Sequence, residues 1–357
     1  MSGGEVSKQR PHDTLRRLVG PIAAPLYGAI VGFRNARFDR GVGVKRVAGG
    51  VPVVSVGNLT VGGTGKTPFV MWLCRELLSR GLKPAIAMRG YKSEANQGRS
   101  DEAEEYRAAL PQVPVIVNPD RFAGISAFLS GGGVADVVVL DDGFQHRRLH
   151  RDLDVVLVDA RADTPHDRLL PWGDLRERVA GVKRAGVVVL THAENVEAAS
   201  RTEAALRSLP ADGAIVARAE HRWDGFDVND AGNELSWKTE YLRKKRVIAV
   251  CGIARPAGFF QRLKELGCDV AGEFVLADHQ PIDAALAQAV ADSAAKHRAQ
   301  FVVTTQKDFA RLGRVPVEWE TLTVVRPRVA MDVRPAEAVI ERVLGAIRAA
   351  RTSDLPA

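Results

Sequence analysis

The sequence predicts an α/β fold in which a mostly parallel sheet carries helices on both faces. Short apolar runs rich in β-branched residues recur along the chain and alternate with segments of helical periodicity. These runs lie at 51–56, 82–88, 113–117, 134–140, 153–158 and 187–190. Several are apolar along their whole length, as strands covered by helices on both sides are. A Gly-rich turn at 62–65 joins the first run to a predicted helix at 69–80.

This Gly-rich turn predicts a phosphate-binding loop. Residues 51–68 read VPVVSVGNLTVGGTGKTP, which places a strand, a Gly-rich turn, Lys66-Thr67 and a helix in succession. Glycines let backbone N–H groups converge on phosphate oxygens, Lys66 neutralises the β- and γ-phosphates, and the Thr67 hydroxyl ligates Mg²⁺. The predicted binding residues are Thr60, Val61, Gly62, Gly63, Thr64, Gly65, Lys66 and Thr67, with Thr60 in the place of the pattern's first glycine. The fold is therefore predicted to be of the P-loop NTPase type.

Length and composition limit the classes of protein. The 357 residues suffice for two domains, and 46% apolar with 26% charged residues is ordinary for a globular chain. A net charge of +7 indicates an acidic partner, but only 6% of the residues are aromatic and no basic–aromatic pattern favours nucleic acid. The three cysteines lie far apart in apolar settings, which indicates a reducing compartment and neither a disulfide framework nor a zinc site.

The N-terminal region contains an uncharged segment between arginines. Residues 19–33 carry no charge over fifteen positions. As a helix this segment would span about 22 Å against roughly 30 Å of hydrocarbon, and Pro21 and Pro25 are expected to interrupt it. Neither a transmembrane span nor a secretory signal is favoured. Two interpretations remain, a core helix or a monotopic segment that lies in the membrane interface.

Acidic residues follow the apolar run at 134–140. Asp141 and Asp142 are expected at the carboxyl end of a strand, where P-loop proteins hold Mg²⁺ beside the loop threonine, and the residues leave open which of the two touches the metal. Gln145 and His146 place polar groups at the same edge. By its residues alone, Asp101 reads as part of an acidic helix start that is solvated and stabilised by the helix dipole.

Four segments are predicted along the chain. They are an N-terminal segment at 1–40, a P-loop domain at 41–213, a linker of hairpin turns at 214–240, and a smaller C-terminal α/β domain at 241–357. The turns of the linker are expected at Asp224-Gly225, Asn229-Asp230 and Gly232-Asn233. An amphipathic helix at 336–350 is expected to close the C-terminal domain.

Several motifs together resemble one known family, the tetraacyldisaccharide 4′-kinases. They are SVGNLTVGGTGKTP at 55–68, RGY at 89–91, VLDDGFQHRRLHRD at 139–152, LLPWGDLRE at 169–177, ADH at 277–279 and TTQKD at 304–308. These enzymes phosphorylate the lipid A precursor in Gram-negative bacteria, and the resemblance runs over nearly the whole chain.

The resemblance implies an activity and a location. The activity is ATP- and Mg²⁺-dependent phosphoryl transfer to the 4′-hydroxyl of a tetraacyldisaccharide 1-phosphate, which yields lipid IVA. The partners are this lipid A disaccharide 1-phosphate and the inner-membrane surface, and neither nucleic acid nor an obligate protein partner is inferred. The resemblance favours a membrane-interface helix within 1–40 and a peripheral, monotopic place on the cytoplasmic face of the bacterial inner membrane.

The resemblance also implies roles for particular residues. Asp101 would be the catalytic base and His279, a lone histidine in a predicted turn, its partner. Lys66 and the loop amides would hold ATP, while Thr67 with Asp142, or with Asp141, would place Mg²⁺. The remaining candidates are Glu102, Arg121, Gln145, His146, Arg176 and Glu177. Ser100-Asp101-Glu102-Ala103 stands where the family usually has Gly-Asp-Glu-Pro.

An alternative from another class is a membrane-associated P-loop ATPase switch. Such a protein would also carry a Gly-Lys-Thr loop, a strand-end aspartate and an amphipathic segment, and it would hydrolyse ATP without a sugar acceptor. These switches often have a second lysine at the position where this chain has Gly62, which favours the kinase.

Overall fold

The computed structural model describes residues 11–90, 101–207, 209, 213–253, 256–277 and 280–353, without the side chains of 11–18, 48, 101 and 353. The contacts divide the chain into two compact units. Unit 1 comprises Met1–Glu220 with Met331–Ala357, and unit 2 comprises His221–Ala330.

The secondary structure alternates as the sequence predicts. The strands are β1 (Val53–Asn58), β2 (Pro84–Met88), β3 (Val115–Val117), β4 (Val137–Asp141), β5 (Leu153–Asp159), β6 (Val187–Thr191), β7 (Ile215–Asp230), β8 (Asn233–Trp237), β9 (Arg246–Cys251), β10 (Asp269–Val275), β11 (Phe301–Thr304) and β12 (Thr323–Arg334). The α-helices are α1 (Pro11–Asp39), α2 (Lys66–Ser79), α3 (Asp101–Ala109), α4 (Arg121–Ser130), α5 (Val196–Leu206), α6 (Pro256–Glu265), α7 (Ala284–His297), α8 (Gln306–Leu312) and α9 (Ala336–Ser353).

Unit 1 is built on a parallel sheet of order β3-β2-β4-β1-β5-β6-β7. Successive side chains of a strand point to opposite faces, and both faces are buried here: Val137 and Val139 pack into one core cluster, and Val138 and Leu140 into another. The predicted α/β fold is confirmed. Because β1 lies between β4 and β5, the loops that follow β1 and β4 meet at one edge of the sheet.

Helix α9 belongs to unit 1, which differs from the predicted C-terminal domain at 241–357. Val339, Ile340 and Val343 are fully buried in the same core as Val54 and Phe69. The amphipathic helix expected at 336–350 is present, and its apolar face packs against the P-loop sheet because that is where an apolar surface remains to be covered.

Helix α1 is continuous from Pro11 to Asp39, so the predicted interruption at Pro21 and Pro25 is wrong. Both prolines are exposed, on a side where water can satisfy the carbonyls that lack an N–H donor. Gly20 and Ala24 are buried, and the opposite face is apolar but exposed. The exposed apolar residues are Val19, Ile22, Leu26, Ile30 and Phe33. Among the described residues, no helix is both long and apolar enough to cross a membrane.

Unit 2 contains parallel strands in the order β10-β9-β11-β12 and the hairpin of β7 with β8. The hairpin turns at Ala231-Gly232, where both residues have positive φ angles, 47° and 85°, as a two-residue type I′ turn requires. The predicted turn at Gly232-Asn233 overlaps this one, but Asp224-Gly225 and Asn229-Asp230 lie inside β7 and not at turns.

Candidate active site

The loop between β1 and α2 is exposed at Gly62 and Gly63. Gly65 is the N-cap of α2 with a φ of 77°, and Gly62 has a φ of 109°. A Cβ atom added at Gly62 or Gly63 would meet no described atom within 4 Å. The loop is fixed from below, because the Thr191 hydroxyl at the end of β6 donates to the Thr64 carbonyl at 2.9 Å. The loop therefore combines a held backbone with room for a phosphate chain.

A second segment, residues 168–177, pairs with the start of this loop. The Val61 amide donates to the Asp174 carbonyl at 2.8 Å, and the Arg176 amide donates to the Leu59 carbonyl at 2.7 Å. Thr60 and Leu175 form an antiparallel bridge. The amide of Val61, predicted to bind phosphate, thus already has an acceptor, and Val61 and Thr60 fix the position of the loop.

Lys66 lies between an amide and a carboxylate. Its Nζ atom is 3.3 Å from Asn58 Oδ1 and 3.5 Å from Asp142 Oδ1. Asn58 is buried, and its Nδ2 donates to the Thr60 carbonyl at 2.8 Å. The end of β1 therefore orients the ammonium group that the sequence predicts to contact phosphate.

Asp142 is held by two cations. Arg176 Nη1 donates to both carboxylate oxygens at 2.8 Å, and Lys66 Nζ lies 3.5 Å from Oδ1. Burial raises the pKa of Asp142, but Lys66 and Arg176 outweigh it and hold the pKa below its ordinary value. Asp142 therefore orients two cationic groups, each of which can bind a phosphate oxygen.

Asp141 lies deeper, and one of its oxygens lacks a hydrogen bond. Its Oδ2 accepts from the Tyr106 hydroxyl at 3.1 Å, whereas Oδ1 is buried without a hydrogen-bond partner among the described residues. Burial raises the pKa of Asp141 to about 6 against the opposing charge of Lys66. Burial raises the pKa of Tyr106, and an interaction with the Thr67 side chain acts in the opposite direction, so Thr67 lies close to this hydroxyl. A hydroxyl and an unsatisfied carboxylate oxygen are hard ligands of the kind Mg²⁺ takes, so the residues present fit this ion.

Gln145 and Glu177 are joined by a hydrogen bond within one polar cluster. Gln145 Nε2 donates to the Asn58 carbonyl at 2.9 Å and to Glu177 Oε1 at 3.0 Å. Glu177 Oε2 accepts from Asn35 of α1 at 3.0 Å and from Arg184 at 2.7 Å. Glu177 is buried, and its oxygens serve three protein donors, so the structure places it beneath the loop as a link between elements.

Arg121 and His146 lie near each other. Arg121 begins α4 and is buried, with Nη1 donating to the Pro119 carbonyl at 3.0 Å. Burial, followed by the charge of Arg121, lowers the pKa of His146 to about 4. His146 is therefore neutral at pH 7.

The predicted base lies where α3 begins. The backbone of Asp101 starts that helix, and its side chain is outside the described part. The charge of the next residue, Glu102, contributes to the raised pKa of Asp141. His279 and Tyr91 lie outside the described residues.

Three residues at this edge were not singled out from the sequence: Asn58, Tyr106 and Thr191. Asn58 lies within the Gly-rich motif, so its position after a strand was the available signal. Tyr106 and Thr191 belong to other elements and reach the loop only through the packing of α3 and the pairing of β6.

A Lys-Thr loop between a parallel strand and a helix, with acids at the end of the neighbouring strand, defines a P-loop nucleotide-binding protein. The chain belongs to the Tetraacyldisaccharide-1-P 4′-kinase family, whose model matches residues 15–347. This membership confirms the family that the motifs indicate.

Relatives of the family cover nearly all of the chain. It is 37% identical over 353 residues to the tetraacyldisaccharide 4′-kinase of Anaeromyxobacter sp. (strain K), covering 94% of this chain and 92% of the relative. It is 34% identical over 352 residues to that of Geobacter sulfurreducens, covering 92% and 94%. The crystal structure of LpxK from Aquifex aeolicus in complex with ATP superimposes with a TM-score of 0.71 at 28% identity, covering 93% of this chain and 99% of that one.

Proposed function

We propose that this chain transfers the γ-phosphoryl group of ATP to the 4′-hydroxyl of a tetraacyldisaccharide 1-phosphate. The observation that carries the proposal is the set of contacts that follows the Gly-rich loop: Lys66 and Arg176 both bind Asp142, and Thr67 and Asp141 both lie against Tyr106. Phosphoryl transfer requires mainly positioning and charge neutralisation, and these groups can provide both.

The phosphate chain would lie against the loop at its open glycines, Gly62 and Gly63. Lys66 and the amides of the first turn of α2 would contact it. In the structure Lys66 and Arg176 share the single carboxylate of Asp142. We propose that Asp142 holds these two cations in place until the phosphates of ATP bind to them.

Mg²⁺ would be held by Thr67 and Asp141. The support is the unsatisfied Oδ1 of Asp141 and the link of both side chains to one tyrosine. When bound, the ion neutralises the β- and γ-phosphate oxygens. Asp142 is the less suitable ligand, since its two oxygens are occupied by Arg176.

The proton of the sugar hydroxyl would pass to Asp101. Two arguments support this role: the family resemblance, and the position of Asp101 at the first residue of α3, next to Glu102, whose charge acts on Asp141.

The acylated substrate would be met at a membrane surface. The exposed apolar residues of α1 recur every three or four positions, so they lie on one face of the helix, and Ile22 and Phe33 are 80% and 77% exposed. Arg34, Arg37 and Arg40 follow on the exposed side. An apolar helix face with adjacent arginines binds in the headgroup region of anionic membranes. We place the protein on the cytoplasmic face of the bacterial inner membrane.

A kinase assay with ATP and tetraacyldisaccharide 1-phosphate tests the proposal. Lys66→Ala should lower turnover at least about 100-fold, and Asp101→Ala should lower kcat about 10²–10⁴-fold with the KM for ATP little changed. Lys296→Ala, an exposed lysine of α7, is the matched control and should match the wild type. Lipid-independent ATP hydrolysis at comparable rates would overturn the proposal in favour of a P-loop ATPase switch.

A further inference from the structure

Tyr106 is a fully buried tyrosine beneath the proposed metal position. Its hydroxyl donates to Asp141 Oδ2 at 3.1 Å and lies close enough to the Thr67 side chain to interact with it. These partners are the two side chains that would hold Mg²⁺ if the proposed function is correct. Tyr106 belongs to none of the motifs that carry the family resemblance.

The chemistry of Tyr106 and Asp141 fixes the direction of their hydrogen bond. An ionised carboxylate only accepts, so the single O–H of Tyr106 donates to Asp141. The tyrosine oxygen then has only acceptor capacity left, and the Thr67 side chain interacts with it. Tyr106 thus fixes Oδ2 of Asp141 and lies close to Thr67.

This arrangement leaves a metal-binding atom available. Because Tyr106 occupies Oδ2 of Asp141, the carboxylate is oriented while its Oδ1 stays without a hydrogen bond among the described residues. We propose that Tyr106 is a positioning residue that prepares Asp141 to bind, together with Thr67, the divalent cation of the nucleotide complex.

The same side chain ties α3 to this position. Ala103, Tyr106 and Leu110 are buried at spacings of three and four residues and pack into the core that contains α2. Tyr106 lies one and a half helical turns after Asp101. It therefore links the helix that begins at the proposed base to both proposed metal ligands.

Tyr106→Phe removes one hydroxyl and preserves the ring. Binding of a fluorescent ATP analogue is titrated with Mg²⁺ and, in parallel, measured without metal. The Mg²⁺ concentration for half-maximal enhancement should rise about 10–100-fold, as loss of an outer-shell partner of a metal site does, while metal-free binding should change less than about twofold. The control is Tyr241→Phe, the same chemical change at an exposed tyrosine of unit 2, and it should titrate like the wild type.

Two outcomes would overturn the inference. One is an unchanged Mg²⁺ titration in Tyr106→Phe; the other is an equal weakening of metal-free and metal-dependent binding, which is what a purely structural role produces. A wild-type protein that fails to bind MgATP would instead contradict the proposed function itself.

A second measurement applies if Tyr106→Phe does not fold. Wild-type protein labelled with 3-fluorotyrosine gives one fluorine resonance per tyrosine, and single Phe replacements of Tyr27, Tyr91 and Tyr241 assign the other three. Mg²⁺ added to the ATP-bound protein should shift the Tyr106 resonance. An unmoved resonance would overturn the inference.

Discussion

Glu177 offers the sharpest test of how the site is supported, because the family resemblance places it in the site and the structure places it beneath. Glu177→Ala would leave the Arg184 guanidinium, whose side chain is only 15% exposed, without its carboxylate. The amide donors of Asn35 and Gln145 would lose an acceptor as well. Removing one partner of a buried ion pair costs about 3–5 kcal/mol.

We expect Glu177→Ala to lower the free energy of unfolding mainly and the catalytic rate only secondarily. For a domain of this size, 1 kcal/mol corresponds to about 2–4 °C, so Glu177→Ala should lower the Tm by roughly 10 °C. Thermal and urea unfolding followed by circular dichroism measure it. Glu320→Ala, an exposed glutamate, should stay within about 0.5 kcal/mol of the wild type.

A small stability change combined with a large loss of kcat would refute this reasoning. It would mean that Glu177 acts on substrate or nucleotide directly. Residual ATP binding at 10 °C below the lowered Tm should instead remain close to that of the wild type.

Two further predictions concern pH and membranes. The pKa of His146 is lowered from 6.5 to about 4 by burial and Arg121, so the folded state binds this proton less readily than the unfolded chain does, and the stabilisation present above pH 6.5 is lost as the pH falls toward 4. Relative to His146→Gln, the wild type should lose about 1–2 kcal/mol of unfolding free energy over this range, since solvent screens part of the shift at this half-buried ring, and urea titration at each pH measures the loss. Replacing Ile22 and Phe33 by Glu should weaken sedimentation with anionic vesicles more than about 100-fold, since each buried apolar side chain contributes about 1.5–3 kcal/mol.

Each of these two has its own contradicting result. If the unfolding free energies of the wild type and His146→Gln change with pH in parallel, the pKa of His146 is not lowered in the folded protein. For the membrane, Val134→Glu changes an apolar residue of unit 1 that is 65% exposed and lies outside α1. Equal loss of vesicle binding in that variant would exclude a specific role of the α1 face.

The features that could be predicted from the sequence are those that a short continuous segment determines. The Gly-rich loop requires glycines before Lys66, and a strand-end aspartate pair follows an apolar run, so both the nucleotide site and the fold class are readable from short segments. Family motifs added Arg176 and Glu177, which no local pattern marks.

The features that could not be predicted depend on distant packing. Helix α9 covers the core around Val54 although almost three hundred residues separate them. Tyr106 reaches Thr67 only because α3 packs beside α2, and Val61 uses its amide for Asp174 only because another loop pairs there. Pro21 and Pro25 lie within a helix because the partly buried face of α1 supplies packing that propensity ignores.

Residues 168–177 contact both α1 and the phosphate loop. A Cβ atom at Gly20 would lie 2.9 Å from Trp172, the Tyr27 hydroxyl donates to the Arg176 carbonyl at 2.8 Å, and the Arg176 side chain donates to Asp142. If α1 binds a bilayer as proposed, the change in its energy would thus act on the groups proposed to bind ATP. By thermodynamic reciprocity, lipid would alter nucleotide affinity by the same factor by which nucleotide alters lipid affinity.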